Sequence, residues 1–463
     1  MGVLRCTLAV REFGVSTLRV SPTLRVRLTG CSTSDPTERS FAMHSSAQRT
    51  LISAWGLFAA LALIMVGNGL IGVLIGVRSE LEGFDTTTTG LIMAAYFGGF
   101  LAGSHFTPRI MARVGHIRVF SGLASMVAAT ALIHGVWVVP FAWVVLRLVF
   151  GFAMAGLYIV VESWLNDSVT NENRGRVMAI YMVVAMGGLA LGQITLSLGS
   201  PLEQTMFITA GALIALAIAP VSLSANSAPE FFLPPPVRPR EIWETAPVGV
   251  ITAVGAGIAN GALLGMAGVY ASQIGLSNAR TAVFVGAAAL GSVLFQWPIG
   301  HLSDRIDRRR AIFIVTLAAV VVSVIGVGTT ADSFWLIVVM LALGGLSFPM
   351  YSLALSHVVD VLPAGRAVTG SVAIVFLTGV GAIFGPLVAS IVMTAIGPSG
   401  FFWTISLVHG AIGVFGVYRL VKRPVIPGVS PKPYVSIPAR STYIPRRIVE
   451  TAKKVRRNGA KRS

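Results

Sequence analysis

The chain has 463 residues, 54% of them apolar and only 11% charged, with 50 glycines, a net charge of +17 and a mean hydropathy of +0.79. That content lies far outside the range of soluble globular domains, so a membrane protein is expected. Both cysteines, Cys6 and Cys31, precede the apolar part, which leaves the fold no disulfide or metal framework.

Residues 1–42 carry Arg5, Arg11, Arg19, Arg25 and Arg27 at intervals that interrupt every apolar run, so no signal-peptide core can form. A disordered basic extension is expected there. It reads as an upstream extension with Met43 as the natural start, although its Arg, Ser and Thr content also fits an organelle transit peptide. Beyond it, runs long enough to cross a hydrocarbon layer of roughly 30 Å, about 20 residues each, are read at 51–77, 89–108, 117–139, 141–166, 175–199, 204–224, 247–273, 281–303, 311–329, 333–358, 367–395 and 400–420. These are twelve helices, since they lack the alternation of barrel strands. The expected domains are a six-helix unit over 43–225, a cytoplasmic linker over 226–246, a second six-helix unit over 247–422 and a basic tail over 423–463.

The net charge follows this division. Of the 35 Lys and Arg, seven lie in residues 1–50 and thirteen from Arg419 onward, and twelve more fall in the loops after helices 2, 4, 6, 8 and 10. The alternate loops hold only Arg78 and Arg280. The positive-inside rule then places both termini in the cytoplasm of a cell inner membrane. The charge reports topology and attraction to anionic membrane lipid, and no nucleic-acid partner is expected.

The two units read as copies. Gly67-Asn68-Gly69 with Gly76-Val77 matches Ala259-Asn260-Gly261 with Gly268-Val269 at an offset of 192, and Gly99 matches Gly291 at the same offset. Beyond helix 4 the offset becomes 193, pairing Tyr158 with Tyr351, Asp167 with Asp360, and Gly188 and Gly192 with Gly381 and Gly385. One duplication explains all of these pairs.

Of the 18 acids, all but Glu162 fall in tails, loops or helix ends. Arg147 is the one base inside a span. An ionisable group inside a span is expensive and usually functional. The two lie fifteen residues apart on helix 4, about 22 Å along its axis, so they cannot pair with each other. Glu162 is either coupled to substrate or an anchor for Arg113 or Arg118; Asp167 and Asp360, at equivalent helix ends, are better anchors. Gln193 and Gln296 add polar groups in helices 5 and 8. His134, His357 and His409 read as packed helix-end residues rather than proton carriers. No Ser/His/Asp set, metal cluster or phosphate loop can be assembled, so neither an enzyme nor a cofactor is expected.

The stretch from Gly300 to Arg310 packs six charges between two apolar runs. Asp304, at the end of a helix, opposes that helix's dipole and needs an Arg or a neighbouring helix N-terminus facing it, and Gly300 would let such a neighbour approach. This stretch resembles the signature loop of the Major Facilitator Superfamily, G-x-L-[GAS]-D-R-x-G-R-[RK]-[RK], with one departure at Asp307, where that pattern has Gly. Arg147-Leu148-Val149-Phe150-Gly151, followed by Gly156, fits the R-x-x-x-G pattern of the family's helix 4. Gly381-x-x-x-Gly385-Pro386 in helix 11, with a weaker partner at Gly188-x-x-x-Gly192-Gln193, adds a third mark.

The resemblance covers 51–420 and implies an all-α integral membrane fold of two pseudo-symmetric six-helix bundles around a midplane cavity that opens alternately to either side. It implies gradient-driven transport of a small-molecule substrate by a monomer, with protons as the coupling ion. A G-x-x-x-G-P motif marks drug exporters when it lies on helix 5; here the proline is on helix 11, which gives export a slight lead. A non-transporting sensor on the same scaffold would carry a large soluble domain, and this linker has only about twenty residues. Helices 1 and 7 line the cavity in this superfamily, so Asn68 and Asn260 are candidates for substrate contact or for interhelical hydrogen bonding; Tyr158 and Tyr351 are a second such pair. The expected gate comprises Gly300, Asp304, Arg305, Arg308, Arg113, Asp167 and Asp360. Asp304 should face the start of helix 5 near Gly175, with Arg305 or Arg308 reaching Asp360. In the first-half copy Pro108 replaces Gly300 and Ala112 replaces Asp304, so a one-sided cytoplasmic latch favouring the outward-facing state is expected. Asp307 either joins that network or caps helix 9, and the cap is the favoured reading.

Overall fold

The computed structural model describes residues 55–168, 174–223, 239–362 and 366–422. Among the described residues there are helices and the turns that join them. The tails 1–42 and 423–463, most of the linker 226–246, and the side chains of Asp167 and the start of helix 5 lie outside them.

The first unit comprises α1 (Trp55–Leu81), α2 (Thr86–Val114), α3 (His116–Val136), α4 (Pro140–Ser168), α5 (Arg174–Thr195) and α6, which runs over Gln204–Leu216 and resumes as Ile218–Ser222. A short helix, Pro239–Thr245, leads into the second unit: α7 (Pro247–Gln273), α8 (Asn278–Arg305), α9 (Arg308–Val327), α10 (Phe334–Ser347 and Pro349–Val361), α11 (Ala367–Ile396) and α12 (Gly400–Lys422). Helix starts are fixed by short polar side chains that accept from otherwise unpaired amides. Asp85 receives Thr88 N at 2.9 Å, Ser277 receives Arg280 N at 3.3 Å and Ser333 receives Trp335 N at 3.1 Å. The expected single run 333–358 is two segments, because Pro349 has no N–H to continue the backbone ladder.

Eleven helical stretches among the described residues are long and apolar enough to span a bilayer on their own. The twelfth, α2, opens on four threonines and ends with His105, Arg109 and Arg113, which lower its hydropathy. Its 29-residue length and its packing between α4 and α11 place it with the others.

Helix pairing shows the duplication in three dimensions. In the first unit α2 packs on α4, α1 on α5 and α3 on α6; in the second α8 packs on α10, α7 on α11 and α9 on α12. The two bundles meet through α2 with α11, α5 with α8, and α1 with α7. Because lipid is as apolar as leucine, helices associate where small residues let backbones touch. At the α2–α4 crossing, a methyl on Gly99 would strike the Leu148 carbonyl and one on Gly151 would strike that of Tyr96. Gly291 with Leu341, and Gly344 with Ala288, repeat the arrangement between α8 and α10.

Several cross-bundle contacts gather at the end that carries the α1–α2 and α7–α8 turns. Gln273 Nε2 of α7 donates to Glu80 Oε1 at 3.1 Å and to Thr86 Oγ1 at 2.9 Å. Thr87 and Thr394 hydroxyls lie 3.3 Å apart, and Asn278 Nδ2 donates to the Gly199 carbonyl at 3.4 Å.

Candidate functional site

Arg147 sits two turns into α4 and is only 4% exposed. Phe150, three residues on, lies on the same helix face, and the close α2–α4 crossing brings Tyr96 in beside it. The guanidinium carbon is 4.6 Å from the Tyr96 ring centroid and 5.5 Å from that of Phe150, with Met93 sulfur 3.9 Å from Nη2. Aromatic faces carry negative charge density, so this shelf stabilises a cation held away from bulk water.

Arg147 borders a small cavity, open on one side. The first bundle supplies Asn68 and Gly72 of α1, Tyr96 and Phe97 of α2, Arg147 of α4 and Gln193 of α5. The second supplies Leu264 and Gly265 of α7 and Val285 of α8. Arg147 is the one charged residue in the lining, which is otherwise apolar apart from Asn68, Gln193 and Tyr96. Gln193 is buried and its Oε1 has no hydrogen-bond partner. It points across the bundle boundary toward Gly286, where a side-chain carbon would lie 3.6 Å from that oxygen.

Glu162, 2% exposed, belongs to a second cluster. Tyr181 of α5 donates its hydroxyl to Glu162 Oε1 at 2.6 Å. Tyr158, one turn back on α4, donates to the Met65 sulfur at 3.1 Å. Tyr351, in the other bundle, is also buried. None of these residues lines the cavity. Asn260, unlike its symmetric mate Asn68, is also outside the lining; it is buried with neither amide atom hydrogen-bonded. Gln296 is also apart, with Nε2 3.4 Å from Ser352 Oγ. Sequence reasoning missed Tyr96 and Tyr181. Their duplication mates are Ala288 and Ile374, so no symmetric pair flagged them, whereas sorting the eight tyrosines by span would have done so.

The loop after α8 is arranged around Arg308. This buried guanidinium lies 2.5 Å from Asp360 Oδ2, 2.6 Å from Ser303 Oγ and 3.6 Å from Asp304 Oδ1. Arg305 and Arg113 are exposed, and Gly300 is buried. Asp307 caps α9, its Oδ1 accepting from Arg309 N at 2.9 Å and Arg309 Nε at 3.3 Å. Its first-half counterpart is Gly115, whose φ of +88° favours glycine; Asp307 has φ −55° and needs no such freedom. In the first half His116 replaces Arg308, its Nε2 lying 3.2 Å from Ser163 Oγ. The three span histidines are buried: His134 Nδ1 is 2.6 Å from the Thr130 carbonyl, His409 Nε2 is 3.3 Å from Ser347 Oγ, and His357 lies in the second segment of α10.

The family model described as Major Facilitator Superfamily matches residues 57–382, with a further match over 250–460. The chain belongs to the Major Facilitator Superfamily. An uncharacterized MFS-type transporter of Enterobacter sp. (strain 638) is 27% identical over 345 residues, covering 73% of this chain and 88% of that protein. The uncharacterized MFS-type transporter YcaD of Salmonella arizonae is 27% identical over 346 residues with the same coverage. Among solved structures, the nucleoside transporter NupG superposes with a TM-score of 0.66 at 14% identity, covering 80% of this chain and 98% of that one. A bacterial homolog to the human lysosomal transporter Spinster, inward-facing and unoccupied, superposes with a TM-score of 0.62 at 15% identity, covering 81% and 95%. The likeness to these two structures shows the fold. This superfamily member is a multi-span membrane transporter, and its cavity lies where its two bundles meet.

Proposed function

We propose that the protein is a secondary active transporter that carries a small solute by alternating access, binds it beside Arg147 and couples its movement to a proton exchanged at Glu162. The observation that supports this reading best is the cavity itself, because its walls come from both bundles and rocking one bundle against the other would expose it to either side. Units 43–225 and 247–422 are the moving bodies, joined by the linker 226–246. Under the positive-inside orientation, with both termini in the cytoplasm of the inner membrane, the contacts around Gln273 close the outer side. Residues Gly300, Asp304, Arg305, Arg308, Arg113, Asp167 and Asp360 form the cytoplasmic gate. Export is the favoured direction, on the Gly381-x-x-x-Gly385-Pro386 motif. The protein works as a monomer, and its basic tail rests on anionic lipid.

Glu162 suits proton exchange because a carboxylate that accepts from Tyr181 can lose its charge inside the protein without losing a hydrogen-bond partner. The test is solute accumulation in vesicles with an imposed pH gradient, with cargo drawn from a metabolite and drug library by thermal shift. Glu162→Gln should retain solute exchange at equal pH and lose gradient-driven accumulation. A variant that keeps full gradient-driven transport would rule the coupling role out.

A further inference from the structure

The last third of α2, at the end away from the α1–α2 turn, presents two exposed rows side by side. His105, Arg109 and Arg113, four residues apart, form one. Phe106, Ile110 and Val114 form the next. Arg109 donates to the His105 carbonyl of its own helix at 2.8 Å, and among the described residues neither guanidinium forms an ion pair. Arg118, exposed on the first turn of α3, adds a third charge just beyond Gly115. These helices hold no acid to balance them, since the sequence has no Asp or Glu between Asp85 and Glu162.

Depth decides what faces the two rows. The 29 residues of α2 make a helix about 43 Å long, which matches the roughly 40–45 Å of a bilayer with its headgroup layers. Arg113 and Arg109 then fall in the headgroup layer, while His105 and Phe106 lie about two turns from the helix end, at the edge of the hydrocarbon. Water alone would solvate the arginines and leave Phe106 and Ile110 unmatched. A molecule with an anionic head and apolar tails matches both rows. The duplication supplies a contrast on α8, where Trp297, His301 and Arg305 occupy the equivalent places at an offset of 192. There Trp297 stacks on His301 with ring centroids 5.4 Å apart, one guanidinium stands in place of two, and Asp304 adjoins it. The α8 row is aromatic and close to neutral.

We infer that the α2–α3 corner of the first bundle is a binding site for an anionic phospholipid. Arg109 and Arg113 hold its phosphate, and its acyl chains lie along Phe106 and Ile110. The equivalent face of α8 has no such preference. Nothing in this site depends on the cargo or coupling assignments, and it is distinct from the attraction of the basic tail to lipid.

The full-length chain, with Cys6 and Cys31 replaced by Ser, can carry a bimane label at Ala102→Cys, just below the two rows, or at its duplication mate Leu294→Cys at the same depth on α8. Each labelled chain is reconstituted in phosphatidylcholine vesicles, and quenching is followed as brominated phosphatidylglycerol or brominated phosphatidylcholine replaces the matrix lipid. At Ala102→Cys the anionic lipid should quench at roughly tenfold lower mole fraction than the zwitterionic one, and at Leu294→Cys the two should agree within about threefold. Arg109→Gln/Arg113→Gln should bring the first label to the behaviour of the second. Millimolar sn-glycerol 1-phosphate, a headgroup without tails, should change nothing. Equal quenching by the two lipids at Ala102→Cys overturns the site, as does the same preference at both labels, which would reflect attraction to the basic chain as a whole. A preference that survives the double substitution, or one that yields to the soluble phosphate, overturns it too. The comparison of the two labels leaves every arginine in place, so it decides the matter even where the double variant fails to fold. Because contact with lipid is read and not transport, the outcome is separate from the gate role proposed for Arg113.

Discussion

Arg308 lies 2.5 Å from Asp360 and has a side chain only 4% exposed, so the pair is a buried one. Removing one partner strands the other charge, whereas replacing both with apolar residues of similar size can be nearly neutral. Asp360→Asn or Arg308→Met should therefore lower stability by roughly 3 kcal/mol, and Arg308→Met/Asp360→Leu should recover most of that loss. Thermal unfolding of the purified single and double variants measures both. Equal losses in the double variant and the singles would show that the pair is not what holds α8, α9 and α10 together. Arg147 is buried in another setting, against aromatic faces and a thioether. A residue's identity and depth announce such an arginine in the sequence. What surrounds it, Tyr96 above all, depends on which neighbouring helix turns toward it, and one helix's periodicity cannot say.

At the scale of the helices, the α2–α4 crossing is the tightest test of small-residue packing. Gly151→Ala should cost about 1–3 kcal/mol, because the new methyl meets the rigid Tyr96 carbonyl rather than a mobile side chain. Gly187→Ala on α5, where a methyl meets nothing within 4 Å, should be neutral or stabilise by up to about 1 kcal/mol through helix propensity. Melting temperatures of the two variants side by side decide the matter. The helices themselves are legible in the sequence, because apolar runs of membrane-spanning length mark each of them, α2 with the lowest apolarity. The close crossings are legible too, as Gly99 and Gly151 recur as Gly291 and Gly344. The break in α10 is not read from apolarity, since Phe348-Pro349 interrupts hydrogen bonding without interrupting the apolar run. Asp307 is readable as a cap from local chemistry alone, as a short carboxylate two residues before an amide it can receive.

For the whole molecule, the contacts that set its state are the least visible in sequence. Gln273 and Glu80 are 193 residues apart, in the last turns of α7 and α1. Their pairing follows only once the bundles are docked. Removing the two bonds with Gln273→Leu should loosen the closed end by roughly three- to tenfold in equilibrium population. A Val73→Cys reporter on the cavity wall, in a chain with Cys6 and Cys31 replaced by Ser, should then react faster with an impermeant maleimide added on the side that carries the α1–α2 turn. Unchanged labelling would show that the clasp does not hold that end shut. The same docking explains why Asn68 lines the cavity and Asn260 does not, although the duplication makes them equivalents: two copies of one unit have specialised. Both charges buried deep within the spans, Arg147 and Glu162, ride on the single uninterrupted α4. In the proposed cycle, a tilt of the first bundle carries a positive and an ionised negative group together on one rigid rod, so the work each does against a membrane potential, about 2.3 kcal/mol per 100 mV for a full crossing, has opposite sign and largely cancels. Any voltage dependence of the transport cycle would then report the charge of the cargo and of the coupling ion, with the carrier itself contributing little current.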